Sequence, residues 1–167
     1  MESNSTYYKT PIGFAEIIGD KNGIQSIALL DNITNEQSSG KFDLPQDIPE
    51  CLQECALQLK EYFKGERTKF DLLLNPQGTS FQKLVWKELC NIPFGKTRSY
   101  LAQSKLIGDP KAVRAVASAN GKNPIWIVVP CHRVIGSDGS LTGYAGGLWR
   151  KKWLLDHESP VKQQSLF

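Results

Sequence analysis

Ser99-Tyr100-Leu101-Ala102-Gln103-Ser104-Lys105-Leu106-Ile107-Gly108-Asp109-Pro110-Lys111-Ala112-Val113-Arg114-Ala115-Val116-Ala117-Ser118-Ala119-Asn120 reads as two short helices joined by a turn that contains glycine. The first helix is predicted over 99–106. Asp109 reads as the N-cap of the second and Pro110 as its first residue, because proline gives up nothing at a position whose N–H has no helical partner. The second helix then carries residues 112–120. Two helices joined in this way form a helix-turn-helix. The second is almost without bulk, which lets its backbone approach another surface closely; the same small residues also suit tight packing against the helix's own core.

Upstream, Thr79 with Gln82 fits a capping box, and Phe81, Leu84, Val85 and Leu89 make one apolar stripe, so a helix is predicted over 79–90. Ile92-Pro93-Phe94-Gly95 ends it. Downstream, the apolar run Ile125-Trp126-Ile127-Val128-Val129 predicts a buried strand leading into Pro130-Cys131-His132-Arg133-Val134-Ile135. Gly136-Ser137-Asp138-Gly139-Ser140 punctuates a hairpin. Leu148, Trp149, Trp153, Leu154 and Leu155 predict a last amphipathic helix, with Arg150-Lys151-Lys152 on its exposed side, and 159–167 reads as a loose tail.

The first half has a different character. Phe14-Ala15-Glu16-Ile17-Ile18 and Ile24-Gln25-Ser26-Ile27-Ala28-Leu29-Leu30 flank Gly19-Asp20-Lys21-Asn22-Gly23, which predicts an antiparallel hairpin. A polar loop over 32–41 follows. Ile48, Cys51, Leu52, Cys55, Ala56, Leu59, Tyr62 and Phe63 recur at helical spacing, and Gly65 reads as the stop. Phe70-Asp71-Leu72-Leu73-Leu74 predicts a further strand, and Asn75-Pro76-Gln77-Gly78 marks a boundary between domains 1–78 and 79–167.

Charge separates the same two parts. Residues 1–78 hold 7 Lys and Arg against 12 Asp and Glu, net −5, whereas residues 79–167 hold 13 against 5, net +8. The second part is therefore expected to meet a polyanion, although basic residues also serve as a solvated surface. Met1-Glu2-Ser3-Asn4-Ser5 has neither the basic start nor the apolar run of a signal peptide, and no stretch approaches the roughly 20 apolar residues that span a bilayer. A cytoplasmic location without membrane contact is expected. Cys51, Cys55, Cys90 and Cys131 then read as free thiols. Cys51 and Cys55 lack a second Cys or His pair that would complete a metal site, so both read as packing residues and no metal is expected there.

Cys131 stands beside His132, one of two histidines in the chain. A neighbouring imidazole raises the thiolate fraction of a cysteine and makes it a soft nucleophile, but a cysteine that ends an apolar run is also commonly a packing residue. In a regular strand adjacent side chains point to opposite faces, so direct contact of the two would need irregular backbone or a bridging water.

From about Thr79 to Glu158 the chain resembles the O6-alkylguanine-DNA alkyltransferases. The resemblance rests on Asn123-Pro124, then Pro130-Cys131-His132-Arg133-Val134, then Gly143-Tyr144-Ala145-Gly146-Gly147, and last Leu154-Leu155-Asp156-His157-Glu158; residues 1–78 resemble the family more weakly. It implies an α/β (α+β) chain. The amino-terminal part would be a three-stranded antiparallel sheet with a helix, like a ribonuclease-H roll, and the rest a mostly helical winged helix-turn-helix DNA-binding domain.

The resemblance also implies roles. Cys131 accepts the alkyl group, His132 takes its proton through a water, Glu158 orients the histidine and Asn123 organises the segment around the cysteine. Tyr100 bonds the everted base, Arg114 fills the gap in the stack, and Tyr144 and Ala145 wall the pocket, with Ser99 and Val134 also at the DNA or base. Read without it, Glu158 is a surface carboxylate, Arg114 a solvated or phosphate-binding arginine and Asn123-Pro124 an ordinary turn. The expected partner is double-stranded DNA carrying O6-alkylguanine or O4-alkylthymine, met by a monomer. Two other functions stay in view: a non-catalytic alkyltransferase-like damage sensor, which carries tryptophan at the acceptor position, and a thiol hydrolase using Cys131 and His132.

Overall fold

Side chains two residues apart build the first sheet. In the computed structural model, which describes residues 3–32, 44–45 and 47–160, Ala15 and Ile17 of β2 (Gly13–Asp20) and Ile27 and Leu29 of β3 (Gly23–Leu30) are buried, as an alternating strand with one covered face requires. β1 (Asn4–Thr10) joins the other side of β2, giving an antiparallel sheet in the order β1-β2-β3. The turn of the β2–β3 hairpin is held by the Asn22 N–H, which donates to Asp20 Oδ1 at 2.7 Å. Leu52, Cys55, Ala56, Leu59 and Tyr62 of α1 (Glu50–Phe63) are buried at helical spacing, and Gly65 follows in a left-handed conformation with φ 78°.

The strand predicted over 70–74 does not form. Only Leu74 pairs, in parallel, with Ile24, through Ile24 N–H to Leu73 O and Asn75 N–H to Ile24 O, both 2.8 Å. A longer ladder would need Asn22, whose N–H the turn has taken, and farther along β3 the partner is a different segment. Ile27 N–H donates to Pro124 O at 2.9 Å and Trp126 N–H to Ile27 O at 3.0 Å.

That second segment corrects the sequence reading twice. The chain divides into two units, Met1–Gly78 with Pro124–Val128 and Thr79–Asn123 with Val129–Phe167, so residues 124–128 lie with the first unit. Nor is 125–129 a strand. After one bridge at Ile125, Ile127 takes φ 74°, a left-handed conformation costly for a β-branched residue, and Val128 N–H turns back to Trp126 O at 2.8 Å. The loop predicted over 32–41 lies almost wholly outside the described residues, as does all but the start of the tail.

The second unit is mostly helical. α2 (Ser80–Leu89) carries the predicted capping box on Thr79 and Gln82, and its residues Val85, Trp86 and Leu89 are buried. α3 (Tyr100–Ile107) is capped by Ser99, which accepts from Ala102 N–H at 3.0 Å, and ends on Gly108 at φ 103°. α4 (Val113–Gly121) starts later than predicted, because the Asp109 carboxylate and carbonyl take Lys111 N–H at 2.9 Å and Ala112 N–H at 3.0 Å, closing a separate turn. β4 (Arg98–Ser99) and β5 (Val134–Ile135) pair in parallel, so the predicted hairpin after Cys131 is absent. Its glycine turn is instead a loop closed by Gly136 N–H to Ser140 O at 2.9 Å.

α5 (Leu148–Glu158) departs most from expectation. Arg150, Lys151, Leu154 and Glu158 are its buried residues, whereas Leu148 and Trp149 are about half exposed. Of the basic run only Lys152 faces outward. Among the described residues no helix is long and apolar enough to cross a membrane.

Thr79→Ala removes one half of the capping box and is expected to cost about 1 kcal/mol. Urea unfolding should show this as a lower midpoint with an unchanged slope.

Candidate active site

Asn123 closes the excursion that the chain makes through 124–128. It is buried, and its Nδ2 donates to Val129 O at 2.8 Å, tying the point of departure to the point of return. Cys131 N–H bonds Val129 O at 2.8 Å, and Cys131–Arg133 forms one turn of 3-10 helix in place of the predicted strand. The turn supplies the irregular backbone that direct approach of adjacent Cys and His side chains would need: three residues per turn, unlike a pleat, do not throw successive side chains to opposite faces.

Two consecutive residues of this turn converge on one carboxylate. His132 Nε2 lies 2.8 Å from Glu158 Oε2, Arg133 Nε donates to Oε1 at 2.7 Å, and Arg133 Nη2 donates to Oε2 at 3.0 Å. Arg133 Nη1 is bound to Ile92 O at 2.7 Å. All three side chains are buried, so Glu158 is no surface residue. Burial pushes its carboxyl up, but His132 and Arg133 outweigh that and hold it at about 2. Gly95, at φ 82°, sits where a Cβ would lie 3.0 Å from Glu158 O, so the chain passes against the end of α5 only because no side chain is there.

Burial pushes the imidazole of His132 below the ordinary histidine range, against the pull of Glu158. Beside an ionised carboxylate, a neutral imidazole keeps its proton on Nε2. Its Nδ1, which is buried and makes no hydrogen bond, therefore presents a lone pair. Cys131 is 5 % exposed, and burial pushes its thiol up to about 11, a rise that Asn123 and Lys151 reduce. The sequence predicts a thiol activated toward thiolate; the DNA-free protein instead holds a neutral thiol beside a neutral base.

Next to this cluster lies a cavity of about 400 Å³ lined by Tyr100, Arg114, Asn120, Thr142, Gly143 and Tyr144, among others. Its size is that of a small-ligand site. Tyr100 OH donates to Thr142 O at 3.1 Å, and burial raises its pKa, so the phenol stays protonated. Arg114 is exposed on α4, and Ala145 is exposed beside Tyr144. Ser99 caps α3 and Val134 is fully buried in β5; neither is in the cavity wall. Among the described residues no three His, Cys, Asp or Glu side chains are placed to hold a metal ion.

The sequence reading missed two residues. Lys151 is fully buried, with Nζ on Thr142 O at 2.8 Å and Gly143 O at 3.3 Å, and burial lowers its pKa to about 8. It braces the cavity wall from behind. Asn120 is buried, lines the cavity and donates to Cys131 O at 3.3 Å. The signal for Lys151 was available in the spacing: if Glu158 faces inward on a helix, so do positions 154 and 151.

An antiparallel sheet packed with one helix, and a mostly helical unit carrying a buried cysteine-histidine-glutamate set next to a small-ligand cavity, define a two-unit thiol protein. The 6-O-methylguanine DNA methyltransferase DNA-binding domain matches residues 80–160, and the ribonuclease-like domain of the same family matches residues 5–76. The methylated-DNA–protein-cysteine methyltransferase of Methanosarcina barkeri is 46% identical over 153 residues, covering 90% of this chain and 93% of the relative. The crystal structure of Mycobacterium tuberculosis O6-methylguanine methyltransferase superposes with a TM-score of 0.80 at 44% identity, covering 94% of this chain and 93% of that one. A crystal structure from the same organism in complex with DNA gives 0.78 at 42% identity, covering 92% and 91%. The chain belongs to the 6-O-methylguanine DNA methyltransferase family.

Glu158, held at about 2 against an ordinary 4.5, contributes stability that is present above pH 4.5 and lost as pH falls toward 2. His132, with its pKa depressed, adds a loss that begins as pH falls through its ordinary 6.5. Glu158→Gln leaves Arg133 buried without its carboxylate and is expected to cost about 3–5 kcal/mol near neutral pH, with a shallower acid loss. Urea unfolding measured across the acid range checks both effects.

Proposed function

We propose that this protein is a methylated-DNA–protein-cysteine methyltransferase, a DNA-repair protein that everts O6-alkylguanine from double-stranded DNA and moves the alkyl group to Sγ of its own Cys131. The observation that carries this reading is the buried Cys131 beside a His132 whose Nε2–H is committed to Glu158 and whose Nδ1 lone pair is not. A modified guanine oxygen cannot be reached inside a stacked duplex, so the nucleotide must first leave the stack. Tyr100, Tyr144 and Ala145 then wall the base, with the main chain near Ser99 and Val134 framing the site, and Arg114, exposed on α4, enters the gap.

The chemistry is one displacement at saturated carbon. The Sγ–C bond forms as the C–O6 bond breaks, the electron pair goes to the guanine, and the thiol proton goes to His132 Nδ1, through a bridging water. Because the thiol is pushed up to about 11 and the imidazole is pushed down, full ionisation before substrate arrives is unfavourable, and proton loss accompanies attack. Tyr100, kept protonated, turns its hydroxyl from Thr142 O to donate to the charge that develops on the departing base. The Lys151 ammonium, close enough to Cys131 to lower its pKa, offsets charge on the sulfur. Asn123 holds the cysteine turn.

The product is a thioether with no easy route back, so each molecule acts once. The protein works as a cytoplasmic monomer without metal or cofactor, and O4-methylthymine is a second substrate. Cysteine at position 131 argues against the damage-sensor reading, since such sensors have tryptophan there.

Incubation with an oligonucleotide duplex carrying O6-methylguanine, followed by peptide mass spectrometry, should find one added methylene on Cys131 in a 1:1 ratio with lesion repaired. Cys131→Ser should give none. Repeated turnover, or a methyl group on another residue, would contradict the proposal.

A further inference from the structure

Lys151 is fully buried on α5, and its Nζ donates to Thr142 O at 2.8 Å and to Gly143 O at 3.3 Å. The first of these carbonyls has a second donor. Tyr100 OH on α3 bonds the same Thr142 O at 3.1 Å, and the Lys151 ammonium lies 5.8 Å from the centroid of the Tyr100 ring, within range of a cation–π attraction. One carbonyl oxygen thus ties together α3, the loop before α5 and α5 itself. It does so through the phenol that the proposed transfer needs elsewhere.

A phenol has one proton to give. When the Tyr100 O–H turns to the departing base it leaves Thr142 O, and the hydrogen swings about the C–O bond while the oxygen stays in place. Two oxygens 3.1 Å apart then face each other with lone pairs, on a cavity wall that the base closes to water. A carbonyl deprived of its donor in such a place costs free energy. Lys151 changes the balance, because a carbonyl oxygen has room for two donors: the one at 2.8 Å remains, and its positive charge lies beside the facing pair.

We propose that Lys151 is a positioning residue for Tyr100: by holding Thr142 O, its ammonium frees the phenol O–H to leave the cavity wall and donate to the base as the alkyl group departs. The inference rests on the alkyl-transfer reading and adds to it how the donor is released. It is separate from the attraction of Lys151 for the sulfur, which needs no phenol. The charge is lost in an accessible range, since burial lowers the Lys151 pKa to about 8. The groups around it titrate elsewhere: His132 is pushed down, Cys131 is pushed up to about 11, and Tyr100 and Tyr144 are raised above the ordinary 10. Release of the phenol therefore weakens as pH rises through 8, where a neutral amine still bonds the carbonyl but no longer offsets the two facing oxygens.

Single-turnover transfer to Cys131 from a saturating duplex carrying O6-methylguanine is measured across pH 8 in the native protein, Tyr100→Phe, Lys151→Met and the double variant. The native rate should fall several-fold as pH rises through 8. Tyr100→Phe, which has no O–H to release, should be slower throughout and show a much smaller fall. Below pH 8, Lys151→Met should slow transfer by roughly ten- to a hundredfold when Tyr100 is present, the usual cost of a carbonyl left unpaired. In the Tyr100→Phe background the same substitution should cost no more than about threefold, as for residues whose effects are coupled. If Lys151→Met does not fold, the pH profiles of the native protein and Tyr100→Phe carry the test alone. A native profile that is flat across pH 8 overturns the inference, as does an alkaline fall of the same size without the phenol, or an equal loss from Lys151→Met in both backgrounds. Native protein that transfers at no pH would sink the alkyl-transfer reading itself, an outcome distinct from transfer that ignores Lys151.

Discussion

The carboxylate of Glu158 accepts three hydrogen bonds between 2.7 and 3.0 Å from two consecutive residues, His132 and Arg133. That sharing fixes the geometry of the second unit. It joins the end of α5 to the 3-10 turn, and the third guanidinium nitrogen of Arg133 extends the tie to Ile92 after α2. Buried ion pairs are weak evidence of stability, since removing two charges from water offsets most of their attraction. What this one supplies is position. A bidentate guanidinium sets the carboxylate in one orientation, and that carboxylate sets both the tautomer and the ring plane of His132.

The electrostatics follow from burial. Cys131 and His132 are both driven toward their neutral forms, and the nearest compensating charge, Lys151, is itself lowered to about 8 by its surroundings. A thiol kept neutral is a poor nucleophile toward stray electrophiles, because the thiolate is the reactive form. Under the proposed single transfer to Cys131, such restraint keeps the sulfur for a substrate that brings its leaving group within reach. Reactivity then depends on the assembled complex more than on the resting thiol.

Much of this was legible in the chain. Thr79 and Gln82 announced the start of α2, the spacing of Leu52, Leu59 and Tyr62 announced α1, and the order Asn123, Cys131-His132-Arg133, Tyr144, Glu158 named residues that the structure places in one neighbourhood. What failed has physical causes. Residues 125–129 are as apolar as a buried strand, but a left-handed Ile127 turns the chain after a single bridge, and apolar content cannot reveal a positive φ. Asp109 has the chemistry of a helix cap and spends it on a turn. Arg150 and Lys151 read as solvated charge and are buried, because carbonyl oxygens of the loop before α5 accept from both: Gly146 O from Arg150, and Thr142 O and Gly143 O from Lys151. Main-chain acceptors leave no mark in a residue pattern, so a buried cation that uses them looks like an exposed one.

The proposed transfer depends on the protonation state of one imidazole. Nitrogen chemical shifts of His132 in the DNA-free protein at neutral pH report it directly. They should show a neutral ring with the proton on Nε2 and a bare Nδ1, persisting as pH falls below the ordinary histidine range. An imidazolium at neutral pH, or a proton on Nδ1, would contradict it.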